Sequence, residues 1–205
     1  MGWNKALFLA INAPAHPGAW ALWFAWVCAV TPPVVVPLLL IGLWVRGGGA
    51  ARGGLIAAAV ATIVALGVNQ ILGRLWYEPR PFMIGLGHRF LAHAPDNSFP
   101  SDHATLVWSL ACGLIMTSAA RRDTIRRAGW ALAVYGVAVA WARIFLGVHY
   151  PIDMLVPIPV ALAAGWFARF IRPPVDRLVL PSCSRLYETG LVAFRLPPTL
   201  FPRDR

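Results

Sequence analysis

Charge is what this 205-residue chain has least of. Charged residues make up 13% of it, against about 25% in an ordinary soluble domain. Acids are especially scarce, 8 Asp plus Glu against 18 Lys plus Arg, and Lys5 is the only lysine. Cysteines number three, Cys28, Cys112 and Cys183, odd in count and far apart. That excludes a disulfide framework and a Cys/His zinc set, and the three read as small buried hydrophobes. The short apolar stretch Ala6–Ile11 lacks a basic region before it and a cleavage site after it, so no removable signal is read. What is abundant is apolar side chain, 59% of the residues. Too few charges remain to coat a water-facing surface, so the expectation is a membrane protein folded as one compact domain.

A net charge of +10 could serve nucleic acid, but that needs a solvated basic face. Here the arginines stand at the ends of apolar runs, as the positive-inside rule places them. No nucleic-acid partner is expected.

A bilayer core takes roughly 20 apolar residues per helix. Five runs qualify: Gly18–Val45, Gly54–Trp76, Pro100–Ala120, Ala128–Leu146 and Ile152–Ile171. Pro32, Pro33 and Pro37 kink or break the first. A sixth span would require that run to cross twice, with only about a dozen residues in each half. Trp3–Asn12 is too short to cross and reads as an interfacial helix. The predicted fold is therefore an all-α, polytopic transmembrane bundle of five spans, or six, with an N-terminal interfacial helix. Arg46 and Arg52, then Arg121, Arg122, Arg126 and Arg127, then Arg169, Arg172 and Arg177, all fall on one side, predicted cytoplasmic. The loops Tyr77–Phe99 and Gly147–Pro151 face outward, yet they carry Arg80, His88, Arg89, His93, Asp96 and His149. Such a gathering of ionisable groups on the less basic side points to an active site.

Three clusters supply it. The first runs from Gly73 to Phe82, with Arg80 between Pro79 and Pro81. The prolines stiffen the support of a guanidinium suited to bidentate phosphate binding. Taken alone, the same cluster serves equally as an interfacial anchor. The second is Ser98-Phe99-Pro100-Ser101-Asp102-His103. Pro100 suits a helix's first turn, and the amides after it form an anion site beside the Ser101 hydroxyl and His103. The third runs from Arg143 through His149 to Asp153. If Pro151 opens a helix, Asp153 can accept from one ring nitrogen of His149 and leave the other free to attack. Arg143 lies inside an apolar run, where an ionisable group implies function. No cluster offers carboxylates for Mg²⁺ or a zinc set, so neither metal nor cofactor is expected. What remains is phosphoryl chemistry with arginines and helix amides neutralising the charge.

These clusters resemble the three signature motifs of the type 2 phosphatidic acid phosphatase (PAP2) superfamily. They span residues 74–82, 98–103 and 143–153. Asp102 in the second motif and the Glu78–Phe82 run are similar to the bacterial undecaprenyl-diphosphate phosphatase branch. The resemblance implies that His149 forms a phosphohistidine and that Asp153 orients it. It implies that His103 protonates the leaving oxygen and then activates water. Arg80, Arg143 and Ser101 would hold the phosphoryl group, with Arg74 and Asp102 also at the phosphate. One position departs from the pattern. Where the family has Lys, seven residues before the motif's arginine, this chain has Gly73, followed by Arg74. Soluble vanadium haloperoxidases share the motifs, and the apolar spans argue against that activity.

The expected organisation is a phosphatase domain over residues 1–172 and a cytoplasmic tail over 173–205. The expected reaction is hydrolysis of undecaprenyl diphosphate at the outer face of a bacterial plasma membrane. An isoprenoid or phospholipid phosphate is the expected substrate, and membrane lipids are the expected surroundings. Phosphatidylglycerol phosphate, phosphatidate, lipid A and phosphoryl transfer to a lipid remain open. So does a non-enzymatic transporter or scaffold, for which the spacing of His103, His149 and Asp153 would have no use. Sequence leaves the oligomeric state open.

Overall fold

The computed structural model describes residues 2–118 and 124–193. Arg121 and Arg122, used above for orientation, and the tail beyond residue 193 lie outside them. The described chain is helical, without a β-strand and with one isolated bridge between Pro79 and Asn97. Helix α1 covers Gly2–Ile11, α2 Ala19–Val30, α3 Pro32–Arg46 and α4 Gly49–Leu75. Next come α5 Asp102–Thr117, α6 Thr124–Phe145, α7 Pro151–Leu155, α8 Pro157–Pro174 and α9 Leu180–Ala193.

Helix α5 is the axis, packed against α4, α6 and α8. It can be surrounded because its neighbours meet it with small residues. A Cβ at Gly113 would lie 2.8 Å from Ala58 of α4, and one at Gly129 of α6 would lie 2.8 Å from Ile115. Ala61, Ala65, Ala164 and Ala168 close the α4–α8 contact in the same way. The outward faces stay apolar: Ile63, Ile71, Val134, Val137, Leu162 and Phe170 are all exposed. Large apolar side chains facing outward all round a bundle are the signature of a lipid-facing surface.

The prolines act as expected on the first run. Thr31 separates α2 from α3, and the two meet at a bend of 60°. The cause is local. Pro32 and Pro33 have no N–H, so the carbonyls four residues earlier, of Cys28 and Ala29, lose their helical donors.

Helix length does not reproduce five spans. Among the described residues three helices are long and apolar enough to cross a membrane, or four if the bent α2–α3 pair counts as one. Helix α5 has 16 residues, below that length, and begins at Asp102 rather than Pro100. The last run is also longer than its pattern suggests. The chain is helical from Pro151 to Ala193, 43 residues without a break at 172. A π-type turn at Val175–Val179 follows Pro173 and Pro174 and lets the helix continue past them.

Helix α1 lies at the end of the bundle that carries the three motifs. Asn4 accepts from the amide of Ile152 at 3.1 Å. Asn12 donates to the carbonyls of His88 and Phe145 at 2.9 and 3.0 Å. Phe8 is fully buried against Tyr150.

Candidate active site

Helix ends bring the motifs together. The C-terminal ends of α4 and α6 and the N-terminal ends of α5 and α7 meet at one end of the bundle. Between them is a cavity of about 320 Å³, lined by Arg74, Arg80, His93, His103, Arg143 and His149, among others.

His149 is its buried centre, on the loop between α6 and α7. Arg80 Nη1 stands 3.1 Å from its Nε2 and Arg143 Nη2 stands 3.3 Å from the same atom. A guanidinium can only donate, so Nε2 carries the lone pair and Nδ1 the hydrogen. On the other side Nδ1 lies 3.3 Å from Asp153 Oδ2 and 3.3 Å from Ser98 Oγ. Burial, and then the positive charges of Arg143 and Arg80, hold the His149 pKa well below the usual 6.5. The ring is neutral at physiological pH, with a nucleophilic lone pair directed at two arginines.

Each partner is itself held. Asp153 Oδ2 accepts from the Tyr150 amide at 2.7 Å, from the Ser98 hydroxyl and from His149. The Tyr150 bond closes the first turn of α7, so the residue that starts the helix also fixes the histidine. Arg80 spends its remaining donors on Asp96 Oδ1 at 2.7 Å, Asn97 O at 3.0 Å and Val148 O at 2.8 Å. Arg143 Nη1 donates to the carbonyl of Ala29 at 3.4 Å, one of the two that the prolines free. Its Nε has no hydrogen-bond partner among the described residues.

Of the eight residues expected at the site, Arg74, Arg80, Asp102, His103, Arg143 and His149 line the cavity. Ser101 and Asp153 stand behind it, both fully buried. Ser101 is the N-cap of α5, its oxygen accepting from the Ala104 amide at 3.5 Å, so Pro100 precedes the helix instead of opening it. Asp102 offers no donor to a phosphate. Its Oδ1 accepts from Asn69 at 2.6 Å, and Gln70 Nε2 stands 3.1 and 3.0 Å from the two oxygens.

Four contributors were missed. Ser98 lies in the second motif, where the sequence alone gives it no role. Asn69 and Gln70 form a polar pair inside an apolar span, a signal that was there to be read. His93, one of the ionisable residues of the outward loop, lines the cavity as well. Its ring centre is 6.3 Å from that of His149, and burial, then Arg80, lowers its pKa.

Proteins similar to this chain are known. The family model described as the PAP2 superfamily matches residues 54–175. YbjG of Escherichia coli (strain K12), itself only provisionally named an undecaprenyl-diphosphatase, is 39% identical over 95% of this chain and 93% of its own. Undecaprenyl-diphosphatase BcrC of Bacillus subtilis (strain 168) is 33% identical over 81% of this chain and 82% of its own. The crystal structure of Aquifex aeolicus LpxE shares the fold, with a TM-score of 0.57 and 24% identity, covering 82% of this chain and 95% of that one.

Proposed function

The chain belongs to the PAP2 superfamily, and on that premise we infer that it hydrolyses undecaprenyl diphosphate to undecaprenyl phosphate. Two relatives that align along most of the chain carry that activity in their names. The observation that carries the chemistry is the environment of His149, whose unprotonated Nε2 faces two guanidinium donors.

His149 Nε2 attacks the terminal phosphorus, and Asp153, with Ser98, keeps the proton on Nδ1. Arg80 and Arg143, already beside Nε2, meet the equatorial oxygens as charge develops on them. The amides at the start of α5, capped by Ser101, add the positive end of a helix dipole. His103, across the cavity, gives a proton to the leaving oxygen and takes one from the attacking water. Asp102 joins α5 to α4 through Asn69 and Gln70 rather than touching phosphate.

In the membrane, α2–α3 together, α4, α5, α6 and α8 make five crossings, with α1 at the outer surface. Arg46, Arg126, Arg127, Arg169 and Arg172 gather at the end away from the cavity. That end is cytoplasmic by the positive-inside rule, so the site opens outward from a bacterial plasma membrane. Residues 1–172 form the phosphatase unit, and the continuing helix to Ala193 braces its cytoplasmic end.

The test is phosphate release from detergent-dispersed undecaprenyl diphosphate, phosphatidylglycerol phosphate, phosphatidate and lipid A, each with and without EDTA. Preference for the polyprenyl diphosphate, undiminished by EDTA, is expected. Equal turnover of all four lipids would overturn the substrate, and loss in EDTA that Mg²⁺ restores would overturn the metal-free chemistry.

A further inference from the structure

The cavity has more cationic wall than one phosphoryl group requires. Arg80 and Arg143 are both committed to the neighbourhood of His149 Nε2. Arg74, in the last turn of α4, lines the same cavity but makes no hydrogen bond or ion pair among the described residues. One face of α4 borders the cavity through Asn69, Gln70, Gly73 and Arg74, the spacing of successive helical turns.

Gly73 explains why the cation is displaced. A Cβ there would lie 3.0 Å from the Phe99 carbonyl oxygen and 3.3 Å from Asn97 Nδ2. Asn97 itself donates to the Gly73 carbonyl at 2.6 Å, so this wall is closed by backbone and amide. The positive charge instead stands one residue on, about 100° further round the helix. An apolar groove lined by Pro33, Leu66 and Leu106 shares Gln70, Asp102 and His103 with the cavity. A lipid chain lying in that groove, with its terminal phosphorus at His149, must pass the rest of its headgroup along the α4 face.

Resting on the lipid-phosphatase reading above, the geometry points to Arg74 as the subsite for the second, untransferred phosphate of a lipid diphosphate. The chemistry gives that phosphate a use for a cation. The Nε2 lone pair forms a bond to the terminal phosphorus. The bond from that phosphorus to the bridging oxygen breaks, and its electron pair leaves with the lipid monophosphate. Charge builds on the phosphate beside Arg74 as that bond stretches, and His103 gives its proton to the departing oxygen. In the second step water oxygen attacks phosphorus, the N–P pair returns to Nε2, and the water proton passes to His103. A lipid monophosphate leaves as an alcohol and has nothing for Arg74 to hold.

The experiment compares a polyprenyl diphosphate and a polyprenyl monophosphate of equal chain length in the same detergent. With Arg74→Gln, kcat/KM for the diphosphate should fall roughly 10- to 100-fold, the worth of one charge-assisted contact. The monophosphate value should change less than about threefold, and Arg74→Lys should recover most of the loss. Inhibition gives a second measurement that does not depend on turnover. Methylenediphosphonate should bind Arg74→Gln about tenfold more weakly, with orthophosphate unchanged. Equal losses on both substrates, or no loss on the diphosphate, would overturn the subsite and leave the phosphatase standing. A wild-type enzyme inert toward the diphosphate would overturn both.

Discussion

Both ends of the bundle bury arginine, and they treat it in opposite ways. At the end away from the cavity, Arg52 is fully buried. Its guanidinium carbon lies 4.4 Å from the Tyr187 ring centre and 5.4 Å from that of Trp44, and its Nε donates to the Trp44 carbonyl at 3.3 Å. Aromatic rings from α3 and α9 flank the cation and tie both helices to α4. At the other end, Arg80 and Arg143 lean on backbone carbonyls with part of each guanidinium and direct the rest at His149. An arginine packed against aromatic rings joins helices. An arginine with donors left over toward a cavity meets a ligand.

The comparison is tested most severely at the histidine. His149→Gln should reduce phosphate release by at least about 10⁴-fold, since removing a nucleophile removes the covalent path. The thermal melting of the detergent-solubilised protein should stay close to wild type. A residual rate within tenfold of wild type would move the nucleophile elsewhere. Next in size is Ser98→Ala. It removes a donor to Asp153 and a neighbour of Nδ1 while leaving the lining of the cavity intact. Outer-shell partners of this kind are worth about 10- to 100-fold, and the loss should fall on kcat, with KM little changed. A loss confined to KM would make Ser98 part of the binding wall.

The pH dependence follows from the same ring. A histidine whose folded pKa is depressed stays neutral until the pH drops below its ordinary 6.5. The acid limb of kcat/KM should therefore begin below that value, and His103, holding its proton beside the bound phosphate, should supply a limb of kcat that falls as pH rises. A rate that only increases with pH would remove His103 from the acid's role. The smallest effect belongs to the opposite end. Tyr187→Leu strips one aromatic face from Arg52 and should lower stability by about 1 kcal/mol, with kcat/KM unchanged. A matching loss of rate would show that the two ends are not independent.

Much of this was legible in the sequence, and the remainder was hidden for physical reasons. The Pro32-Pro33 pair announced the broken helix, and the spacing of His149 and Asp153 announced their contact, because both are local. Ser98 meets Asp153 across 55 positions, which no spacing rule reaches. The helix beyond residue 172 was hidden for another reason. Pro173 and Pro174 open the expected tail, whereas a π-type turn carries the helix past them and α9 brings Tyr187 to the Trp44 ring, 6.1 Å between centres. Helix α5 is shorter than its apolar run suggests because a central helix is covered by protein on three sides. Its length answers to its neighbours rather than to the thickness of lipid.

The carbonyl of Ala29 carries one last consequence, for how this sequence can drift. Arg143 is tethered there to a main-chain atom, and every residue has the same main-chain oxygen. Position 29 can therefore change its side chain, within its packing limits, without disturbing the tether. Position 33 cannot, since any residue but proline restores an amide hydrogen that competes for that oxygen. Substitutions at a position outside the phosphate cavity would thus register as loss of activity, while the residue that makes the contact would look neutral.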